Sequence, residues 1–283
     1  MRLEELVTRA LEEDIGTADV TTEATVPPLR RGEALVRAKQ ELVVCGQDGA
    51  AEVFRQLGAS YLVLLGDGAR VQPGTAIARV EGRLRDLLTG ERLALNFLMR
   101  LCGIATHTAS VVAAAPGLKV VDTRKTTPLH RALERRAVRL GGAANHRFAL
   151  YDGILIKDNH IAAAGSIATA VAGARAQAHH LLRIEVEVSD SDALLQALEA
   201  GVDAVLLDNM ADASLAEAVN LVRAWEAAGH ARVLVEASGN MNAARLARIA
   251  GLGLDLVSMG GLIHQATWAD LSMKVSAVET EQR

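Results

Sequence analysis

The chain has 283 residues, 50% hydrophobic, 23% charged and only 2% aromatic, with a formal net charge of -4. Such a chain can bury a large core in one or two domains, and Arg, Asp, Glu or His interrupts every apolar run before it could span a bilayer. The scarcity of aromatic stacking platforms and the slightly acidic balance argue against a nucleic-acid partner.

Residues 1–14 place Leu3, Leu6, Val7, Ala10 and Leu11 on one helical face with charges opposite, predicting a helix that ends near Gly16. The segment lacks the apolar centre of a signal peptide. Strands are predicted at residues 34–39 and 42–46, a helix at 47–57, and strands at 61–65 and 77–81, together an α+β sandwich. Cys45 and Cys102 have neither a CxxC nor a Cys/His ligand spacing, so buried, reduced thiols of a cytoplasmic protein are expected, not a disulfide or a zinc site. A long helix over about 87–115 aligns Arg92, Asn96 and Arg100 on one face, beside apolar Leu93, Phe97, Leu98 and Leu101, and Pro116-Gly117 closes it. Taken singly, Arg92 and Arg100 read as a solvated face.

From Leu118 onward, short β-branched runs alternate with Ala/Leu-rich helical segments, the pattern of βα units and a parallel sheet. Six strands are predicted, centred on Val120, Ile156, Val186, Leu206, Val235 and Val257. Their polar tips begin at Asp122, Lys157, Glu187, Asp208, Glu236 and Ser258. Ligands bind at the carboxyl ends of such strands, so these tips are the candidate site. Six strands leave open a partial barrel or an open sheet, and no GxGxxG follows a strand, which disfavours a dinucleotide site.

Arg124, Lys125, Arg147 and Lys157 offer planar forks and point charges suited to carboxylates and phosphates. Each alone would read as a surface ion pair, but their crowding in a chain of small net charge points to an anion pocket. His146 is either a satisfied loop histidine or a donor to an acidic substrate, and its neighbours favour the second. Glu187 and Asp208 end consecutive strands and can balance charge or hold Mg2+ and sugar hydroxyls. Glu185 shares the Glu187 face, as participant or as structural partner. Ser238-Gly239 and Gly260-Gly261, the latter followed by His264, are turns whose backbone N–H groups can cradle phosphate, and the last two strands are where βα barrels usually place it. Together these residues describe a site for a phosphorylated sugar and a small acid.

Several segments in this order carry a resemblance: Asp122-Thr-Arg-Lys-Thr-Thr-Pro128, Asn145-His-Arg147, Leu155-Ile-Lys-Asp-Asn-His160, Glu185-Val-Glu187, Leu207-Asp-Asn-Met210 and Glu236-Ala-Ser-Gly239, preceded by Glu91-Arg92 and Gly103-Ile-Ala-Thr106. The chain resembles the quinolinate phosphoribosyltransferase family over nearly its whole length. The resemblance implies an N-terminal α+β sandwich domain (1–112, with 268–283 a candidate to pack on it) followed by an open six-stranded α/β barrel (113–267). It implies a cytoplasmic homodimer, with higher assembly left open, in which the N-terminal domain of one subunit covers the barrel mouth of the other. It implies conversion of quinolinate and phosphoribosyl pyrophosphate to nicotinate mononucleotide, pyrophosphate and CO2, with Mg2+. By position, Arg124, His146, Arg147 and Lys157 correspond to quinolinate-binding residues, with Arg100 contributed by the partner subunit. Lys125, Glu187, Asp208, Ser238, Gly239, Gly260 and His264 correspond to the phosphoribosyl pyrophosphate and Mg2+ side, Glu187 and Asp208 being the metal ligands, and Thr123 is a further implied substrate-binding residue. Lys125, Lys157, Glu187 and Asp208 are the implied catalytic set.

Leu129-His130 stand where the family has Gly-Leu, Ala143 interrupts a glycine run, Cys102 replaces a serine, and Ile263 and Gln265 flank His264 in place of Thr and Ser. The alternatives are a molybdate-transport-associated paralogue of the same scaffold, a Schiff-base aldolase using Lys157, and a non-catalytic phosphate-binding regulator.

Overall fold

The computed structural model describes residues 2–277. It begins with α1 (Leu3–Ile15), α2 (Val20–Thr25), β1 (Arg31–Ala38), β2 (Leu42–Val43), α3 (Gln47–Leu57), β3 (Ser60–Val63), β4 (Arg70–Val71), β5 (Ala76–Arg83) and the 30-residue α4 (Leu84–Ala113). Next come β6 (Val120–Val121), α5 (Arg131–Leu140), β7 (Ile154–Ile156), α6 (Asp158–Ala164), α7 (Ile167–Gln177), β8 (Ile184–Val188) and α8 (Ser191–Glu199). The chain continues through β9 (Ala204–Asp208), α9 (Asp212–Ala227), β10 (Leu234–Ser238), α10 (Ala243–Ile249), β11 (Leu256–Ser258), α11 (Gly261–His264) and β12 (Leu271–Ala277). No helix among these residues is long and apolar enough to cross a membrane.

Two compact units result. The first comprises the described residues up to Ala109, Thr127–Gly142 and those from Gln265 on; the second comprises Ser110–Thr126 and Ala143–His264. The helix α5, which chain order alone assigns to the second domain, therefore groups with the first. Two ion-pair anchors explain why: Arg136 binds Asp48 and Asp67, and Glu134 binds Arg100. Residues 278–283 of the segment expected to pack on the N-terminal domain lie outside the described residues.

In the first unit, antiparallel strands run in the order β12-β1-β5-β3. Ala34, Val36 and Ala38 alternate inward along β1, and Ala34 lies opposite Val80 of β5 and Val275 of β12. Their buried face shares one core with Val7, Leu11, Val53, Phe54, Leu87 and Phe97 from the helices. Helix α3 has the bounds predicted from sequence because Gly46 and Gly58, at φ 103° and 85°, take left-handed conformations that end it on both sides.

The second unit is a six-stranded parallel sheet in the order β6-β11-β10-β9-β8-β7. All six predicted strands are present. From β7 to β11 each strand is followed by a crossover to its neighbour, whereas β6 returns beside β11, so consecutive β6 and β7 occupy opposite edges. Ala144 adds a single parallel bridge to Val121 on the β6 edge. The parallel register puts every carboxyl end on one side of the sheet.

Candidate active site

Residues from the tips of all six strands line one cavity of about 560 Å³: Thr123, Arg124 and Lys125 after β6, Lys157 after β7, Glu187, Asp208, Glu236, Ser238 and Ser258. Both edge strands reach this cavity although no pairing joins them among the described residues, so the sheet is curled into an open barrel. His146, Arg147, Asn209, Gly239 and Asn240, with the apolar Leu155 and Leu206, complete the lining.

On the cationic wall, the Lys157 ammonium is ion-paired to Glu187. Arg147 Nη1 donates to the carbonyl of Gly153 at 2.8 Å, aiming the guanidinium from the loop before β7. Burial and then the nearby positive charge of Arg124 both push the proton affinity of Arg147 down. Two guanidiniums that repel each other at a cavity wall form a site predisposed to take an anion.

The loop bearing His146 and Arg147 is stitched to β6. Ala144 N–H donates to Val120 O at 2.9 Å, and the fully buried Asp122 carboxylate accepts from His146 N–H at 2.9 Å and from Asn145 Nδ2 at 2.6 Å. Below it, His146 Nε2 lies 3.2 Å from Glu236 and 3.5 Å from Glu185, while Nδ1 accepts the Arg147 N–H at 2.7 Å. Burial by itself lowers the imidazole pKa, but the hydrogen bonds and charges of Glu185 and Glu236 outweigh it and raise it to about 10. Glu185 is itself pushed up, first by burial, with Glu236 adding to it. Both ring nitrogens are thus engaged by protein groups, the first of the two readings that the sequence offered for His146, which had favoured a donor to an acidic substrate.

On the opposite wall, three left-handed residues shape the turns: Gly239 at φ 90°, and Asn209 and Asn240 at 55° and 49°. A Cβ on Gly239 would lie 2.1 Å from Asn209 Oδ1, so only glycine allows the two tips to approach. Asn240 Nδ2 donates to Asn209 Oδ1 at 3.1 Å, and Arg245 Nη1 holds the Gly239 carbonyl at 2.8 Å. Gly260 and His264 lie just outside the lining. A Cβ on Gly260 would meet Lys125 Cδ at 2.8 Å and both His264 Nε2 and Thr123 Oγ1 at 3.2 Å, so these four residues form one tight group.

Sequence reasoning placed Asn209 and Glu236 among the polar strand tips and Asn240 in the turn after the fifth strand, but gave none of the three side chains a role of its own. The asparagines carried a usable signal, since Asn tolerates the left-handed region that sharp strand-to-helix turns demand. Arg100 lies outside the cavity: in the first unit its guanidinium binds the buried carboxylate of Glu134 at 2.8 Å and the carbonyl of Ala266. Leu129, at a position where the resemblance has glycine, takes a positive φ of 67°, whereas next to Ala143 it is Gly142, at 99°, that takes the left-handed position.

The chain matches the family models for the quinolinate phosphoribosyl transferase N-terminal domain over residues 19–102 and C-terminal domain over residues 104–274. It is 43% identical over 269 residues to a probable nicotinate-nucleotide pyrophosphorylase [carboxylating] of Synechocystis sp., covering 94% of this chain and 90% of that one. It is 39% identical to the human nicotinate-nucleotide pyrophosphorylase [carboxylating], covering 87% and 83%. Among solved structures, NadC from Streptococcus pyogenes superposes with a TM-score of 0.90 at 39% identity, over 98% of this chain and 97% of that one. The nicotinate-nucleotide pyrophosphorylase from Francisella tularensis gives 0.89 at 37%, over 97% and 96%.

Proposed function

The chain belongs to the quinolinate phosphoribosyltransferase family, and from that premise we propose how the residues of its second unit divide the work. It is a pentosyltransferase of NAD biosynthesis that joins quinolinate to phosphoribosyl pyrophosphate, giving nicotinate mononucleotide, pyrophosphate and CO2. The observation that carries the assignment of roles is the single cavity that gathers Arg124, Arg147 and Lys157 with Glu187, Asp208 and the left-handed turns.

Arg124 and Arg147 grip the two carboxylates of quinolinate, which relieve their mutual repulsion, while Lys157 faces the same diacid and His146 fixes the loop between them. The backbone of the Ser238-Gly239 turn and the group formed by Gly260, Thr123, Lys125 and His264 hold the phosphates. As pyrophosphate departs, positive charge grows on the ribose, and Glu187 and Asp208 stabilise it while Lys125 and Lys157 balance charge on the departing and carboxylate groups. The quinolinate ring nitrogen attacks C1 of the ribose. The ring then carries a cationic nitrogen beside C2; when CO2 leaves, the electron pair of the broken bond stays on C2, stabilised by that positive charge, and a proton takes the place of CO2 there. Enclosure by the strand tips keeps water from the ribose cation.

Glu187 and Asp208 offer the hard oxygen donors that Mg2+ prefers, and both line the cavity, so the donor set fits that ion, with substrate oxygens and water completing its shell. Mg2+ there would neutralise pyrophosphate charge. The protein works in the cytoplasm as a homodimer. In its support, the first unit carries a cavity of about 440 Å³ whose lining includes the exposed Leu129 and Trp268 together with Leu6, Leu93 and Phe97, a partly apolar surface suited to burial against a second copy. Arg100 reaches a partner's substrate in such a dimer only if its pair with Glu134 parts.

The test is to mix purified protein, quinolinate, phosphoribosyl pyrophosphate and Mg2+ and to follow CO2 and pyrophosphate. Equal amounts of both, abolished by a chelator and restored by Mg2+, are expected. Pyrophosphate release without CO2, or turnover indifferent to Mg2+, would overturn the assignment.

A further inference from the structure

Three polar atoms of His146 are taken by the protein itself. Its main-chain N–H is held by Asp122, its Nδ1 by the Arg147 N–H, and its Nε2 faces Glu236 and Glu185. The ring thus spans the gap between the β10 tip and the main chain of Arg147. Glu236 is only 1% exposed, and its Oε1 accepts no hydrogen bond. A carboxylate so buried is costly unless compensated, and His146 Nε2, 3.2 Å away, is the cationic or donor group paired with it. Swinging the ring away would strand the carboxylate, so burial of Glu236 locks the imidazole, and the imidazole locks the start of Arg147.

We propose that Glu236 is a positioning residue for the diacid: through the His146 ring it fixes the Arg147 main chain, and so presets the guanidinium that receives a quinolinate carboxylate. In this arrangement the imidazole is a strut between Glu236 and Arg147, and it keeps its bond to Glu236 when quinolinate binds. The inference rests on the reading of Arg147 as a quinolinate contact. Cation placement matters because a bidentate fork gains its strength from alignment, and a loop free to drift would spend binding energy on ordering itself.

The experiment uses the full-length protein with quinolinate and phosphoribosyl pyrophosphate titrated separately. Glu236→Leu removes the nearer and more buried of the two acceptors at similar volume, leaving Glu185 at 3.5 Å, and its quinolinate Kd is expected to rise about tenfold or more while the phosphoribosyl pyrophosphate Kd stays within about twofold. Glu236→Gln keeps an oxygen that can accept from Nε2, so it is expected to restore quinolinate binding most of the way. A quinolinate Kd unchanged in Glu236→Leu, equal weakening of both ligands, or no rescue by glutamine would overturn the proposal. Should Glu236→Leu not fold, the wild-type protein decides: 15N chemical shifts of the His146 ring are expected to stay unchanged on adding quinolinate. A shift of Nε2 on binding would make His146 a direct ligand and end the strut role. Arg147→Ala is the control. If it leaves quinolinate binding intact, the underlying site reading fails; if it abolishes binding while Glu236→Leu does not, only the positioning role fails.

Discussion

The main-chain N–H of His146 donates to the carboxylate of Asp122 at 2.9 Å, and that carboxylate is fully buried. A residue two positions before the site's first arginine thus holds the loop that carries its second. Asp122→Ala is expected to leave the His146 N–H and the Asn145 amide without their acceptor, costing about 3 kcal/mol of stability. Chemical denaturation measures that loss, and a quinolinate titration should show weakened binding in the fraction that folds.

Leu129 sits at φ 67° with 73% of its surface exposed. A left-handed conformation costs a branched L-residue about 1–2 kcal/mol, with little burial here to offset it. Leu129→Gly should therefore raise stability by about 1 kcal/mol, read as a higher midpoint in thermal unfolding, because glycine adopts that φ without strain. A lower midpoint would mean that the leucine side chain earns its place through contacts in an assembled form.

Lys157 is 43% exposed at its side chain and ion-paired to Glu187. Lys157→Ala is expected to lower kcat/KM by about 10²-fold or more, as removal of one charge-stabilising group at a reacting centre does, with unfolding changed by no more than about 1 kcal/mol. Release of CO2 and circular dichroism melting provide the two readings. Full activity would remove Lys157 from the site.

Asp19 caps α2, accepting from Thr22 N at 3.0 Å and from Thr89 Oγ1 at 2.9 Å. The hydrogen bonds from Thr22, and then that from Thr89, hold its carboxyl below the usual range. A depressed folded pKa means stability present above the unfolded value of about 3.9 and lost as pH falls through the folded one. Asp19→Ala should cost about 1 kcal/mol at neutral pH. The gap between variant and parent should close on acidification below the unfolded value. A gap constant with pH would show that the cap acts without its charge.

Periodicity and turn chemistry located all six strands of the parallel sheet, because each is a short β-branched run bounded by polar tips and Ala/Leu-rich helices. The bounds of α3 were legible for a local reason, the glycines at either end. β12 was not, since its strand character comes from pairing with β1, as in Ala34 opposite Val275, a contact between distant segments that no window of sequence contains. The placement of α5 was hidden likewise, because Arg136 finds Asp48 and Asp67 only after folding. At the site, the charged tips announced themselves by composition, and the cavity does gather Arg124, Arg147, Lys157, Glu187 and Asp208. Glu236 did not, since a lone glutamate at a strand end carries no mark of being buried beneath an imidazole.

What the amino-acid order determined alone was the rhythm of strands and helices and the chemical types at each strand end, because hydrophobic period, glycine conformational freedom and side-chain charge are local properties. What the tertiary structure decided was which of those groups remain available. Parallel pairing of β7 with β8 carried Lys157 to Glu187, packing of the loop before β7 brought His146 onto Glu236, and folding of the first unit joined Arg100 to Glu134. Burial and partnership are properties of the packed chain, and they separate a residue that meets substrate from one that holds its neighbour in place.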